Sequence, residues 1–387
     1  MPMPLNASPS FNTRIPPAIL RSVVSTSELP AYLTKALDGI IKEYKPLSRR
    51  RGNNDAAERR VLVKFGDKML RRMGFTSATL EAVSALHSLE LAGWGGRQDH
   101  FFHSFQNYLF GLLAVGGLRA AFEDSQNASN LHWSVDPCAV WMLTALYHDV
   151  GYGIQALPSI FRGAMGFEDS EGKAESARAD FLREVPCQVA LRQIASLMAW
   201  LLDSTVASTG WMPPMPNTKR TVKENAMEQA LKDNFMESHG AAGAIRLYSD
   251  LGSAIDRMTN GPKRNLLRQT MLLACVSIPF HDFKFRRAVR NRCERCSIPV
   301  EVMPYAATLC FIDSIQDDRR NLEHVTDRLR FLEKLIVERP ATVKAKVNRP
   351  AKAEDTLWKI VEACDVLGHL VQSPSVLNFK YPLWMAG

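Results

Sequence analysis

Ala139–Tyr147 (AVWMLTALY) runs without a charged residue and delivers His148 and Asp149, after which Val150, Gly151, Tyr152 and Gly153 break the pattern. An apolar run with no alternation of polar positions, ended by glycine, reads as a helix buried on every side. An imidazole and a carboxylate at the exit of such a helix are costly to bury unless they pair with something or coordinate something. A metal site is therefore the first chemistry to test.

Outward from this run, from Thr76 to about Leu335, apolar residues recur at three- and four-residue spacing, and short Gly, Pro and Asp/Asn breaks separate the stretches. Almost nothing there alternates in period two, so the expected class is all-α. Residues 1–75 read as a Pro-rich and basic N-terminal arm, its first 30 residues extended or disordered. Residues 76–337 read as one helical domain, 338–355 as a basic linker, and 356–387 as a short amphipathic helix with an apolar tail around Tyr381 and Trp384. The Pro-rich stretch 209–217 reads as a surface loop or lid.

With 387 residues, the chain can bury a sizeable core as one large or two ordinary domains, and 46% hydrophobic against 23% charged residues fits a soluble globular protein. The net charge of +8 gathers between Lys42 and Arg72 and again between Arg339 and Lys352. Such clusters attract nucleic acid, nucleotides or anionic surfaces, although charge runs are more often solvated faces. No stretch approaches the roughly 20 apolar residues that span a bilayer, and residues 1–10 lack the charged and apolar regions of a secretory signal, so the expected location is the cytoplasm. The scattered cysteines do not resemble a disulfide framework, and Cys293 and Cys296 stand as a lone CxxC, read as reduced thiols in a loop.

Other candidate ligands sit on similar apolar helical text. His103 lies on a face continued by positions 107, 110 and 114, with His100 as its competitor one turn earlier. His239 precedes Gly240–Ala244 (GAAGA), small side chains that let another helix approach. His281 ends the run Leu272–Phe280, and Asp313 ends Ala306–Ile312. Each alone is more often a hydrogen-bonded core residue. Together they are material for one or two divalent cations, with imidazole suiting iron, zinc, nickel or manganese and a carboxylate able to bridge; helical bundles build such centres from inward-projecting side chains.

The ordered set His103, His148, Asp149, His239, His281 and Asp313 resembles the HD-domain superfamily of metal-dependent phosphohydrolases over roughly residues 85–330. Ile298–Arg319, an apolar helix carrying Asp313, is similar to the family's closing helix. The resemblance implies a helical bundle in which His103, His148, Asp149 and Asp313 hold one metal ion, His239 and His281 complete a second, and Asp149 bridges. The ions would be Mn, Mg, Fe, Co, Ni or Zn. It further implies hydrolysis of a phosphomonoester or phosphodiester, such as a nucleotide, by a metal-activated water.

Many members carry a lysine where this chain has Tyr152, which is read as orienting substrate or as packing. The signatures of the cyclic-di-GMP and animal cyclic-nucleotide branches are absent. Lys284 and Arg319 are candidate phosphate contacts, or equally helix-end cations, and Arg286 and Arg287 lie nearby. Asp99, Asp282, Gln316 and Asp317 are candidates to orient a ligating imidazole. His87, His132, His324 and His369 lack an apolar helical frame. Two alternatives stay open: a mixed-valent diiron oxygenase of the same superfamily, and a nucleotide- or nucleic-acid-binding regulatory module using the basic arm.

Overall fold

A computed structural model describes residues 29–48, 55–74, 100–112, 133, 135–155, 169–202, 219–292, 303–317, 332–338, 342–347, 369–373 and 376–380. Helices α1 (Ala31–Ser48) and α2 (Asp55–Met73) pack on each other; α3 (His100–Leu112), α4 (Pro137–Tyr147), the single turn α5 (Tyr152–Gln155), α6 (Ser170–Arg183) and α7 (Val185–Leu201) follow. Then come α8 (Val222–Asp233), α9 (His239–Asp256), α10 (Gly261–Ser277), a 3-10 turn at Ile278–His281, α11 (Phe283–Arg292) and α12 (Pro304–Asp317). No helix among the described residues is long and apolar enough to cross a membrane.

The opening stretch is the hub. Asp136 caps α4 by accepting from the Cys138 amide, Pro137 supplies a helical φ at the first position, and every residue of the helix is buried. Helices α3, α9, α10 and α12 surround it. The Trp141 indole donates to the Tyr108 carbonyl across 2.9 Å, binding α4 to α3. Met142, Leu143 and Trp141 are fully buried, each contributing roughly 1.5–3 kcal/mol of hydrophobic stabilisation.

Two glycines let α9 reach the turn that follows α4. A Cβ on Gly243 would stand 2.5 Å from the Tyr147 carbonyl oxygen, and one on Gly151 would stand 1.9 Å from the His239 carbonyl oxygen. Backbone therefore meets backbone where side chains would hold the elements apart. Ser238 caps α9 through the Ala241 amide, which fixes where the helix begins and so where His239 sits.

Residues 31–73 correct the expectation of an arm. Leu33, Leu37 and Ile40 on α1, with Leu62, Phe65 and Met69 on α2, are buried in the common core. Their spacing of three and four residues is an amphipathic stripe that the density of Arg and Lys obscures. The Tyr32 hydroxyl donates to Asp136, tying α1 to the start of α4. Part of the basic charge is consumed in folding, since the Arg59 guanidinium lies 4.7 Å from the Phe101 ring centre and that of Arg72 lies 5.0 Å from the Tyr32 ring.

The described residues are mostly helical, as the all-α class expects, but the chain from residue 332 carries strands where a linker and a C-terminal helix were expected. Strands β1 (Leu332–Glu338), β2 (Thr342–Val347), β3 (His369–Ser373) and β4 (Val376–Lys380) form an antiparallel sheet in the order β1-β2-β4-β3. Strand β2 falls within the stretch read as a basic linker, and β3 and β4 within the C-terminal segment. The physical reason is legible afterwards: Val343, Ala345 and Val347 alternate with Lys344 and Lys346, the period of a strand. In register, Val343 pairs with Val337 of β1 and Phe379 of β4, and Ala345 pairs with Leu335 and Leu377. The expected helix at 356–370 meets β3 at its last two residues and otherwise lies outside the described residues, as do the tail around Tyr381, the loop at 209–217 and the CxxC pair. Cys138, Cys187, Cys275 and Cys310 are buried thiols outside any disulfide.

Candidate metal centre

Six side chains from the elements around α4 converge. The helix α3 supplies His103; His148 and Asp149 leave α4; His239 opens α9; His281 ends the 3-10 turn; and Asp313 comes from α12. His103 Nε2 lies 2.8 Å from Asp313 Oδ1 and 3.4 Å from Asp149 Oδ2. His148 Nε2 lies 3.2 Å from Asp149 Oδ1 and 3.6 Å from Asp313 Oδ1. His239 Nε2 lies 3.7 Å from Asp149 Oδ1 and 2.8 Å from His281 Nε2. Asp149 thus divides its two oxygens, Oδ2 toward His103 and Oδ1 toward His148 and His239.

The outward-facing nitrogens decide what the inward-facing ones offer. His148 Nδ1 is 2.8 Å from the Ala145 carbonyl and His281 Nδ1 is 2.5 Å from the Ile278 carbonyl, so both Nδ1 atoms carry the hydrogen and donate. His239 Nδ1 lies 3.0 Å from the Asp282 carboxylate, which only accepts. In their neutral forms all three imidazoles therefore present Nε2 lone pairs inward, with those of His239 and His281 only 2.8 Å apart. Two lone pairs at that distance repel unless a proton or a metal cation lies between them. The 3-10 turn is itself braced by Arg286, a buried guanidinium that donates 2.7 Å bonds to the carbonyls of Phe280 and His281.

The electrostatics favour positive charge at this point. Burial opposes a proton on His148, but Asp149 and Asp313 outweigh it and raise the imidazole above its usual value. Burial would raise Asp313, yet the bonds from His103 and His148 hold it well below the carboxylate range. Asp282, likewise buried, is lowered by His239. Burial, with His239 and His148 beside it, holds His281 down to about 3, so its ring is neutral and free to ligate. The donor set fits divalent metal: imidazole Nε2 and carboxylate oxygen, in the subsets His103–His148–Asp313 and His148–Asp149–His281, each gathered within 4.8 Å.

All six ligand candidates are thus brought together. His103 reaches the cluster with its Nε2; His100 is the first residue of α3, and its side chain lies outside the described residues. Asp282 takes the orienting role beside His239. Tyr152 packs: its ring lies flat on His239, centroids 4.0 Å apart and planes within 10°. Lys284 is exposed on α11, and Arg319, Asp99, His87, His132 and His324 lie outside the described residues, as do the side chains of Gln316 and Asp317. His369 opens β3.

Sequence reading did not single out Asn107, which the structure sets beside the cluster. It lies one turn after His103 on the same inward face, and its Nδ2 is 3.0 Å from His148 Nε2 and 3.3 Å from His103 Nε2. The spacing of four was the available signal. Arg286 was grouped with exposed cations because its neighbours are exposed, whereas only the packing of α11 buries it. No protein-family model, curated protein or solved structure matches the chain.

Proposed function

We propose that this protein is a divalent-metal-dependent phosphohydrolase of the HD type, acting on a phosphomonoester or phosphodiester such as a nucleotide. The observation that carries the reading is the convergence of four imidazoles and two carboxylates, with the Nε2 atoms of His239 and His281 2.8 Å apart and both Nδ1 atoms already committed. His103, His148, Asp149 and Asp313 would hold one ion, and His239 and His281 with Asp149 a second. Bound divalent ions supply Lewis acidity toward a phosphoryl oxygen and lower the pKa of a coordinated water.

The chain's own groups fix the geometry. Asp149 sets Oδ2 beside His103 and Oδ1 beside both His148 and His239, so its carboxylate touches both halves of the centre. Asp282 and the carbonyls of Ala145 and Ile278 hold three imidazoles in the tautomer that ligates, an arrangement whose loss typically weakens metal binding about 10–100-fold. Two ligand carboxylates against two divalent ions leave the centre net positive, which matches an anionic phosphoester. Tyr152 keeps the His239 ring plane fixed by stacking on it.

The test is purified protein with Mn2+, Mg2+, Co2+, Ni2+, Zn2+ or Fe2+ and a panel of nucleotides and generic phosphodiesters. Release of phosphate or of a cleaved product, lost in Asp149→Ala, is the expected result. Activity equal to the Asp149→Ala control with every metal would reject the reading. Iron in the protein as isolated, with oxygen consumption in place of phosphate release, would turn the assignment to the oxygenase alternative.

A further inference from the structure

Asn107 is fully buried on α3, and its Oδ1 is buried with no hydrogen-bond partner. Leaving such a carbonyl unpaired costs roughly 1–3 kcal/mol. Its Nδ2 lies close to three atoms at once: His148 Nε2 at 3.0 Å, His103 Nε2 at 3.3 Å and Asp313 Oδ1 at 3.4 Å. These are three of the donor atoms assigned above to one ion. An amide NH2 among them stands where positive charge is favoured, and it would repel a cation drawn to the same atoms.

Turning the carboxamide half a revolution about its Cβ–Cγ bond exchanges oxygen and nitrogen within the same volume. The oxygen would then face His103, His148 and Asp313 at the separations Nδ2 has now. Ligand atoms about 2.1 Å from a shared ion lie about 3.0 Å apart along the edge of an octahedron. The observed 3.0–3.4 Å separations are of that size.

We infer that Asn107 is a metal ligand through Oδ1, adding a neutral oxygen to the ion held by His103, His148, Asp149 and Asp313. The inference rests on the metal-centre reading above. Its consequence is selectivity: a fifth protein ligand rich in oxygen favours ions that accept five or six ligands, such as Mn2+ or Mg2+, over Zn2+ with its preference for four. Asn107 thus sets which metal the centre prefers, a property distinct from whether it binds one.

Calorimetric titration of the full chain with Mn2+ and, separately, Zn2+ tests this. Asn107→Leu, similar in volume, should weaken Mn2+ at the tighter site at least tenfold and change Zn2+ by less than about threefold, while Asn107→Asp, which keeps the oxygen, should retain Mn2+ binding. The Co2+-loaded protein supplies a second readout, because a weak five- or six-coordinate visible spectrum should become an intense tetrahedral one in Asn107→Leu. Equal Mn2+ affinity and an unchanged Co2+ spectrum in that variant would overturn the inference. If Asn107→Leu does not fold, Asn107→Ser carries the same two measurements. A wild-type chain that takes up no ion would instead reject the metal centre itself.

Discussion

Gly151 is the position at which a single methyl group should separate the fold from the site. A Cβ there would stand 1.9 Å from the His239 carbonyl oxygen, 2.6 Å from its carbonyl carbon and 2.7 Å from its Cα, where ordinary contact begins at 3.4 Å. The start of α9 must therefore retreat from the turn after Asp149 by about 1.5 Å. Gly151→Ala should cost about 3 kcal/mol, the upper part of the range for overpacking, because backbone on both sides leaves no flexible side chain to yield. Thermal unfolding of the metal-free protein should fall by roughly 6 °C at about 2 °C per kcal/mol.

The same retreat carries His239 away from Asp149 Oδ1, now 3.7 Å from its Nε2, and from His281 Nε2 at 2.8 Å. Uptake of the second of two Mn2+ ions by calorimetry should weaken about 10–100-fold, as for loss of a ligand's support, while the first ion is largely retained. Gly39→Ala is the matched control. Nothing lies within 4 Å of a Cβ at Gly39 in α1, so the helix gains about 0.5–1 kcal/mol and the metals are unaffected. A Gly151→Ala protein with wild-type melting temperature and wild-type binding of both ions would refute the close approach and the placement of His239 that follows from it.

Arg286→Met should cost about 3–5 kcal/mol in the urea midpoint, because the carbonyls of Phe280 and His281 lose charge-assisted bonds while remaining buried; an unchanged midpoint would count against that brace. Acid should destabilise the metal-free protein: His281 is neutral when folded, with its pKa held at about 3, but takes a proton near 6.5 when unfolded. Its contribution is thus complete above about 6.5 and is lost as pH falls toward about 3, by at most about 1.4 kcal/mol per pH unit. Urea midpoints flat between pH 6.5 and 4.5, or equally steep in His281→Asn, would contradict it. A chain beginning at residue 76 should aggregate or melt far below the full chain, since Leu33, Leu37, Leu62 and Met69 cover the core; equal melting temperatures would show that α1 and α2 do not dock.

The run Ala139–Tyr147 was readable as a buried helix because nothing on any face of it is charged, and a helix with no polar side has nowhere to go but inside. The six candidate ligands were readable for a related reason. Each interrupts apolar helical text, where an ionisable group is too costly to be incidental. The N-terminal helices and the C-terminal strands were harder. In 31–73 the apolar stripe competes with a conspicuous excess of Arg and Lys, and in 342–347 a short alternation carries lysine at every other place, so charge concealed the period.

The amino-acid sequence by itself determined the helical class of the region around α4, the identity of the candidate ligands and the need for small residues beside His239. Only the tertiary structure decided which atoms meet. It joins His103 to Asp313, sets one Asp149 oxygen beside His103 and the other beside His148 and His239, turns Tyr152 onto His239, and buries Arg286 while leaving Lys284 exposed. The reason is that these choices depend on the rotation and close approach of helices distant in the chain. Spacing places a residue on a face, but which nitrogen of an imidazole points inward is fixed by the carbonyl or carboxylate that another turn sets behind it.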